Sequence, residues 1–335
     1  MKYLIPVLLL FLITQTTQYF APAANDLNMR NWMSKLANET KLALINIPGT
    51  HDTASNLINP LGKSVAKTQD LTIPELLRIG VRKLDVRIYM RKLSKGETDP
   101  ELNLGTAHGI FECYYKDENN NKRNLTLKQI FKYVRTFLKE NPSETVIIWT
   151  QSERDVKYDN LKRAVELYNS VVGDILVHYN RYLTLGECRG KIVSVLYWTG
   201  LYDSQGRQIF HNSYDGGTNL EEIHKKERGK SDYPSWEVSG KVKVKELTEF
   251  FKTHEISFKD ALKDFEKNPQ NYPFTYYTSC TGQHAHLIPF PRVESKVVNP
   301  FLLKYNFKRG YLYGWIDSDF VTLELAKKIV ETNFP

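Results

Sequence analysis

Short apolar runs of strand length alternate with segments of helical periodicity along most of the chain. Apolar or alternating residues predict strands at residues 42–47, 81–89, 104–108, 145–150, 191–198, 274–279 and 311–316. Apolar residues three and four positions apart predict helices at residues 73–79, 127–137, 160–170, 243–254, 257–267 and 322–330. Residues 200–240 have no clear period and are rich in Gly, Ser, Asp and Tyr, so we interpret them as a long loop.

The order of these elements predicts the fold class. Strands and helices alternate over about 300 residues, and no Gly-rich dinucleotide-binding motif follows the first strand. We therefore expect a single α/β domain built as a parallel (β/α) barrel of the TIM type rather than a doubly wound sheet. In such barrels the chemistry gathers at the carboxyl ends of the strands.

The first 23 residues have the layout of a secretory signal peptide. Lys2 precedes an apolar stretch at residues 4–13, and Ala21-Pro22-Ala23 supplies the small residues of a cleavage site. This stretch is too short to span a bilayer, which takes about 20 residues. We expect cleavage after Ala23, with an uncleaved anchor as the alternative, and secretion of residues 24–335 as the folded domain.

In a secreted protein, sequons can be glycosylated and cysteines can form disulfides. Asn38 and Asn124 each begin an Asn-X-Thr sequon near a predicted loop, so we expect a glycoprotein. The chain has three cysteines, which permit at most one intramolecular disulfide. Cys188 adjoins an apolar strand, which favours a buried thiol and leaves Cys113–Cys280 as the expected pair.

The charge balance favours anionic partners. The sequence has 46 Lys and Arg against 38 Asp and Glu, so 46 − 38 = +8, and loss of Lys2 with the signal peptide leaves 8 − 1 = +7. On a secreted protein this charge argues against nucleic acid as a partner and favours peripheral contact with an anionic membrane surface. We expect the chain to act as a monomer.

Titratable residues stand at the carboxyl ends of four predicted strands. They are His51 and Asp52 after the first strand, Asp85 and Arg87 at the end of the second, His108 at the end of the third, and Asp317 and Asp319 at the end of the last. Taken singly, a histidine after a strand is more often structural than catalytic. Because these ends meet at one face of a barrel, their joint occurrence predicts an active site.

Two histidines, an arginine and several carboxylates suit phosphoryl transfer. Two imidazoles serve as general base and general acid if carboxylates fix their tautomers. A guanidinium offers a permanent charge and a fork that fits the oxygens of a phosphate. Such a set moves a phosphoryl group to a neighbouring hydroxyl without a metal. Metal binding is the rival use of these residues, but it would place one cation beside another.

Six motifs stand in order along the chain. They are IPGTHD at residues 47–52, VRKLDVR at 81–87, AHG at 107–109, FLKENPSETVII at 137–148, RGKIV at 189–193 and GWIDSDF at 314–320. Together they resemble the X-domain of phosphatidylinositol-specific phospholipases C, of the bacterial, single-domain kind, and the similarity runs from about residue 30 to residue 330. IPGTHD and the NPSET turn are specific signals, whereas RGKIV alone is not.

The resemblance implies a distorted TIM barrel and a reaction. The inositol 2-hydroxyl attacks the phosphodiester, which yields diacylglycerol and a cyclic inositol phosphate. His51 matches the general base of the family, and Asp319 matches the carboxylate that orients it. His108 matches the general acid, supported by Asp52.

Arg87 matches the residue that stabilises charge on the phosphate, with Asp85 behind it. Calcium-dependent relatives have acidic metal ligands at this place, so Arg87 implies a reaction that requires no metal or other cofactor. The expected substrate is an inositol phospholipid or a related phosphodiester lipid.

Two residues depart from the pattern of the family. Gln151 and Tyr197 stand at inositol-binding positions where a lysine and an arginine are expected. Residues 200–240 must then supply the remaining headgroup contacts. Two alternatives stay open: a phosphodiesterase of the same fold with another headgroup, and a secreted lipid- or glycan-binding pseudoenzyme. The pseudoenzyme is disfavoured because a binding module needs neither of the two proton carriers.

Overall fold

The computed structural model of the chain describes residues 27–93, 95–153, 158–197, 238–282 and 288–335, with the side chains of 158–163 and 196–197 not included. The predicted signal peptide and residues 200–237 of the predicted loop lie outside this description. Secretion, cleavage after Ala23 and the domain limits 24–335 therefore stay predictions.

The described strands are β1 Ile47–Thr50, β2 Lys83–Met90, β3 Leu104–His108, β4 Phe111–Glu112, β5 Tyr114–Lys116, β6 Lys122–Asn124, β7 Val146–Ser152, β8 Leu176–His178, β9 Ile192–Tyr197, β10 Ile256–Ser257, β11 Thr275–Tyr277, β12 Tyr311–Leu312 and β13 Trp315–Ser318. The described α-helices are α1 Ile73–Arg78, α2 Leu127–Glu140, α3 Tyr158–Val172, α4 Leu185–Cys188, α5 Gly240–His254, α6 Phe258–Lys267, α7 Pro291–Lys304 and α8 Leu323–Glu331.

The main sheet has the order β11-β13-β1-β2-β7-β9-β8, and every ladder along this path is parallel. Parallel strands joined by helices are the construction of a TIM-type (β/α) barrel, as the sequence predicts. Within the described ranges no ladder joins β8 to β11. The hairpin strand β3 pairs antiparallel with β2 beyond the barrel ladder.

Helix α2 illustrates how the sequence determines an element. Its buried residues recur with helical spacing: Leu127, Ile130, Phe131, Val134, Phe137 and Leu138. The Thr126 hydroxyl accepts a hydrogen bond from the backbone N–H of Gln129 and caps the amino end. The buried face joins the main core cluster with residues of β2 and β7, so the helix covers the sheet.

Two predicted strands have the wrong bounds. Between them, the side chain of Asn46 takes the place of a backbone partner in the ladder. Residues 42–44 form a 3-10 helix, and the strand begins only at Ile47. The amide oxygen of Asn46 accepts hydrogen bonds from the N–H groups of Tyr313 and Gly314, 2.6 and 2.8 Å away. These bonds, and a positive φ of 86° at Gly314, divide the predicted strand 311–316 into β12 and β13.

The predicted pairing of Cys113 with Cys280 is wrong. All three cysteines are buried thiols, and Cys113 and Cys280 lie in different core clusters. Cys188 is a buried thiol, as predicted, and burial raises its pKa to about 12.

The sequons differ in their surroundings, and their glycosylation stays a prediction. Asn38 is exposed, whereas the half-buried Asn124 donates its amide to Glu112 at 3.2 Å. Over the described part of the chain, no helix combines the length and the apolar character that crossing a bilayer demands.

Candidate active site

The turn after β1 carries two of the predicted site residues, His51 and Asp52. Gln69 Nε2 donates hydrogen bonds to the carbonyl oxygens of His51 and Ser318, at 2.8 and 2.9 Å. Thr68 Oγ1 donates to the carbonyl oxygen of Asp52 at 3.1 Å, and Asp52 itself has a positive φ of 40°. These hydrogen bonds hold Asp52 in a left-handed backbone conformation that residues with a side chain rarely adopt. The turn therefore fixes the directions of the His51 and Asp52 side chains.

His51 and Asp319, the predicted general base and its orienting carboxylate, form a hydrogen-bonded dyad. His51 Nδ1 lies 2.8 Å from Asp319 Oδ1. Burial raises the pKa of Asp319, and the nearby His51 opposes that shift. With the Nδ1 proton donated to the carboxylate, Nε2 is the nitrogen that remains available to accept a proton. His51 is 8% exposed, so this nitrogen sits in a nearly closed site.

His108 lies in the same site, but the strand that carries it differs from the prediction. Its strand, β3, is not a parallel barrel strand but runs antiparallel to the extended end of β2, with Thr106 opposite Ile88. The hairpin folds back over the carboxyl end of the barrel and places His108 beside His51. The ring centroids of the two histidines lie 5.5 Å apart at an interplanar angle of 87°.

Asp52, the predicted partner of His108, lies close to its ring, but the hydrogen bond of His108 goes to a backbone carbonyl instead. His108 Nδ1 lies 2.6 Å from the carbonyl oxygen of Ala66 and 3.1 Å from Asp52 Oδ2. Only the carbonyl accepts a hydrogen bond of good geometry, so the Nδ1 proton belongs to that bond. Both carboxylate oxygens of Asp52 lack a hydrogen-bond partner in the described residues, and burial raises its pKa well above the usual value.

The surroundings of His108 disfavour its protonated form. Burial, followed by the charges of Arg87 and His51, lowers the pKa of His108 to about 3. With this pKa the imidazole is neutral at pH 7. A phosphate placed against the ring would raise its pKa, so a general-acid role for His108 requires bound substrate.

Arg87 supplies a fixed positive charge at the rim of the site. Its guanidinium lies 3.3 Å from Asp85 Oδ2 and 3.5 Å from Glu153 Oε2, and the side chain is 19% exposed. Burial opposes the charge, but Asp85, Asp52 and Glu153 outweigh it and raise the pKa of Arg87. Arg87 is thus permanently charged and still reaches solvent, as phosphate binding requires.

Asp85 connects Arg87 to the turn that carries the histidines. Burial would raise its pKa, but Arg87, His51 and Lys83 together hold that pKa below the usual value. Its Oδ2 accepts the backbone N–H of Asp52 at 3.2 Å. An ionised Asp85 therefore fixes both the guanidinium and the turn after β1.

Glu153 is a site residue that the sequence reasoning missed. It follows β7, contacts Arg87 and accepts a hydrogen bond from the N–H of Gly109, next to His108. Its position three residues after the TVIIWT run at residues 145–150 was the available signal. Ligand atoms of Asp52, His108 and Glu153 lie within 4.8 Å of one another, yet a metal ion there would adjoin the guanidinium of Arg87.

Gln151 lies inside the site, whereas the side chain of Tyr197 is outside the described residues. Gln151 is in register with Arg87 on one side and with Tyr197 on the other. Its Nε2 donates a hydrogen bond of 2.9 Å to Asp85 Oδ1. The amide therefore supports Asp85 beside the arginine, and the role of Tyr197 stays a prediction.

The fold is similar to that of solved structures of the bacterial enzyme phosphatidylinositol-specific phospholipase C. A mutant of that enzyme from Staphylococcus aureus superposes with a TM-score of 0.65 at 18% identity, over 91% of this chain and 98% of that one. The enzyme from Listeria monocytogenes superposes with a TM-score of 0.57 at 23% identity, over 91% and 99% of the two chains. The predicted distorted TIM-type barrel is thereby confirmed.

Sequence comparison leads to particular relatives of the same kind. The chain is 29% identical over 182 residues to the 1-phosphatidylinositol phosphodiesterase of Listeria monocytogenes, which is 51% of this chain and 50% of the relative. It is 27% identical over 208 residues to the protein of that name from Staphylococcus aureus, 59% of this chain and 58% of the relative. The matches span about half the length of these relatives, and no protein-family model matches the chain. The resemblance predicted from the motifs is confirmed.

Proposed function

We propose that this chain is a secreted, metal-independent phosphodiesterase that cleaves phosphatidylinositol-type lipids to diacylglycerol and cyclic inositol phosphate. One observation carries the proposal: two histidines, each bound at Nδ1, lie with ring centroids 5.5 Å apart beside a permanently charged arginine. Each imidazole therefore offers Nε2 to the reaction, one to accept a proton and the other to donate one. The similar 1-phosphatidylinositol phosphodiesterases indicate the substrate class.

The proposed reaction is an intramolecular phosphoryl transfer. His51 Nε2 takes the proton of the inositol 2-hydroxyl, and the oxygen forms a new bond to phosphorus. The bond between phosphorus and the glycerol oxygen breaks, and His108, protonated while the phosphate anion is bound, gives its Nε2 proton to that leaving oxygen. The products are a cyclic phosphodiester and a neutral diacylglycerol.

Arg87 supplies in this scheme the charge stabilisation that a metal would otherwise provide. As the attack proceeds, negative charge grows on the non-bridging oxygens of the phosphate. The guanidinium is oriented by Asp85 and Glu153 before substrate arrives, so little reorganisation is needed in the transition state. The carboxylates on either side also keep the guanidinium from turning away.

A second candidate differs only in the headgroup. Gln151 occupies an expected lysine position, and its amide is already donated to Asp85. It adds no positive charge for the hydroxyls or phosphates of an inositol. A lipid with another vicinal hydroxyl next to its phosphodiester would meet the same three catalytic groups, since cyclisation needs only that hydroxyl.

We propose that the rim next to His108 touches the membrane. Leu61 and Ile110 are 83% and 76% exposed, and they stand next to Gly62 and Phe111, whose atoms pack together. Leu61 is in the 3-10 helix Pro60–Gly62 and Ile110 is in the turn between β3 and β4, and exposed aliphatic side chains at such adjoining positions suit insertion among lipid headgroups. This contact would bring the lipid phosphate to the site while its acyl chains remain in the bilayer.

The headgroup assignment is tested by turnover on defined vesicles. Purified protein is incubated with phosphatidylinositol, with phosphatidylglycerol, whose headgroup has a hydroxyl next to the phosphodiester, or with phosphatidylcholine, whose headgroup has none, and products are followed by phosphorus NMR. We expect a cyclic phosphate from phosphatidylinositol and none from phosphatidylcholine. Turnover of phosphatidylglycerol without turnover of phosphatidylinositol would support the second candidate, and absence of any turnover would contradict both.

A further inference from the structure

Lys83 and Asp317 form an ion pair inside the barrel that the reaction scheme does not use. Lys83 Nζ donates a hydrogen bond to Asp317 Oδ2, and both side chains are 0% exposed. The ammonium also lies 4.6 Å from the ring centroid of Trp149 and 5.6 Å from that of Tyr277. A carboxylate and two aromatic faces therefore enclose it, away from water.

The ion pair spans three neighbouring strands. Asp317 on β13 and Lys83 on β2 are both in register with Gly49 of β1, the strand between them. A Cβ atom on Gly49 would lie 2.0 Å from Asp317 Oδ1 and 3.2 Å from the Cβ of Lys83. Because Gly49 has no side chain, the side chains of Lys83 and Asp317 can meet across β1. Their ion pair links β13 to β2.

These three strands carry most of the proposed catalytic groups. Two residues beyond Asp317 is Asp319, and two beyond Gly49 is His51. Residues two apart on a strand face the same side, so the ion pair occupies the layer beneath the His51–Asp319 hydrogen bond. Tyr277 links the layers, since its ring centroid lies 5.6 Å from that of His51 while its face meets Lys83.

Stability alone is a poor reason for such a pair. Two buried charges lose their hydration, and apolar residues of similar volume in their place are often neutral or stabilising. Burial raises the pKa of Asp317 to about 6, a sign of that cost. Lys83 meanwhile favours the ionised form of Asp85, which holds Arg87 and the turn after β1.

We propose that the Lys83–Asp317 ion pair is a positioning element of the active site, one that fixes β13, β1 and β2 so that Asp319, His51 and Asp85 meet in reactive geometry; the inference rests on the proposed function. Neither residue touches the substrate in this scheme. Both residues act by aligning the ends of their strands. The charge of Lys83 also favours the ionised form of Asp85.

A nearly isosteric double variant, Lys83→Met with Asp317→Asn, tests the proposal. It removes both charges and leaves the net charge unchanged. We expect kcat to fall by about tenfold or more while KM changes by less than about twofold, because substrate contacts remain. The matched control removes a charge pair at the surface, Arg135→Met with Asp174→Asn, whose partners are 39% and 63% exposed. It should retain the wild-type kcat.

Thermal unfolding separates positioning from a plain structural role. We expect the double variant to unfold within about 5 °C of the wild type, so that activity is lost without loss of the fold. If the buried amide prevents folding, Lys83→Met with Asp317→Val removes that unsatisfied group and is judged by the same criteria. A folded variant with wild-type kcat overturns the proposal.

One readout does not depend on the substrate. The Nδ1–H proton of His51, identified by its loss in His51→Asn, is followed by proton NMR in the wild type and the double variant. We expect its resonance to shift upfield or vanish when the ion pair is removed, and an unchanged resonance overturns the proposal. A wild type that turns over no lipid contradicts the proposed function alone, because this measurement still decides the positioning role.

Discussion

His108 is the residue whose protonation most depends on what occupies the site. Its pKa is lowered to about 3, first by burial and then by Arg87 and His51. Its hydrogen bond to the Ala66 carbonyl fixes the ring but adds no negative charge. In the proposed reaction the phosphate of the substrate supplies that charge, so we expect substrate binding and acid catalysis to be coupled at this imidazole.

Removal of either histidine tests the assigned roles. We expect His51→Ala and His108→Ala each to lower kcat by about 10²–10⁴-fold, since each removes one proton-transfer step. Turnover on phosphatidylinositol vesicles measures the effect. Circular dichroism is the control, and unfolding of both variants would mean that these histidines are structural.

The low pKa of His108 predicts a pH-dependent stability. An unfolded histidine titrates near 6.5, so between pH 6.5 and pH 3 the unfolded chain binds a proton that folded His108 excludes. This residue therefore makes stability fall as pH falls, by at most about 1.4 kcal/mol per pH unit. Unfolding midpoints between pH 4 and pH 7 should fall less steeply with acid in His108→Asn. Parallel profiles for the two proteins would contradict the shifted pKa.

At the scale of elements, the spacing of β13, β1 and β2 decides the geometry of the site. Gly49 lies in the middle of this arrangement, where a methyl group would collide with Asp317. We expect Gly49→Ala to lower the free energy of unfolding by about 1–3 kcal/mol through overpacking. Gly173→Ala is the control, because nothing lies within 4 Å of its added Cβ. Equal stability of the two variants in denaturant titration would contradict the close approach.

The elements that the sequence predicted well are those whose partners are local or apolar. Helix α2 followed from its spacing and its cap, and β7 and β9 from their continuous apolar runs. Helix α7 was not predicted, and it contains Pro300 and begins at Pro291. The break at Gly314 was missed because it depends on Asn46, a residue distant in sequence.

The same distinction applies to the candidate site. Motif and strand-end reasoning found the histidines, Arg87 and their carboxylates. It could not find the ion pair between Lys83 and Asp317, since that contact depends on the register of three strands, with Gly49 in the middle strand. Nor could it find that β3 runs antiparallel, because a strand's direction depends on its partner in the sheet.

At the scale of the whole molecule, the exposed residues beside His108 predict how the protein meets a bilayer. We expect Leu61→Ser with Ile110→Ser to weaken binding to phosphatidylinositol vesicles by about tenfold, because two aliphatic side chains leave the lipid. Vesicle sedimentation measures this. The control is Leu262→Ser in helix α6, an exposed residue of another element, and equal binding by both variants would exclude this rim as the contact.

The most direct test of the account is turnover without metal. Purified wild-type protein is incubated with phosphatidylinositol vesicles in excess chelator, with and without later addition of calcium, and cyclic inositol phosphate is measured. Because the proposed role of Arg87 is to provide the charge that a metal would otherwise supply, we predict the same rate in chelator as in calcium. Loss of activity in chelator and its recovery with calcium would contradict catalysis by two histidines and an arginine alone.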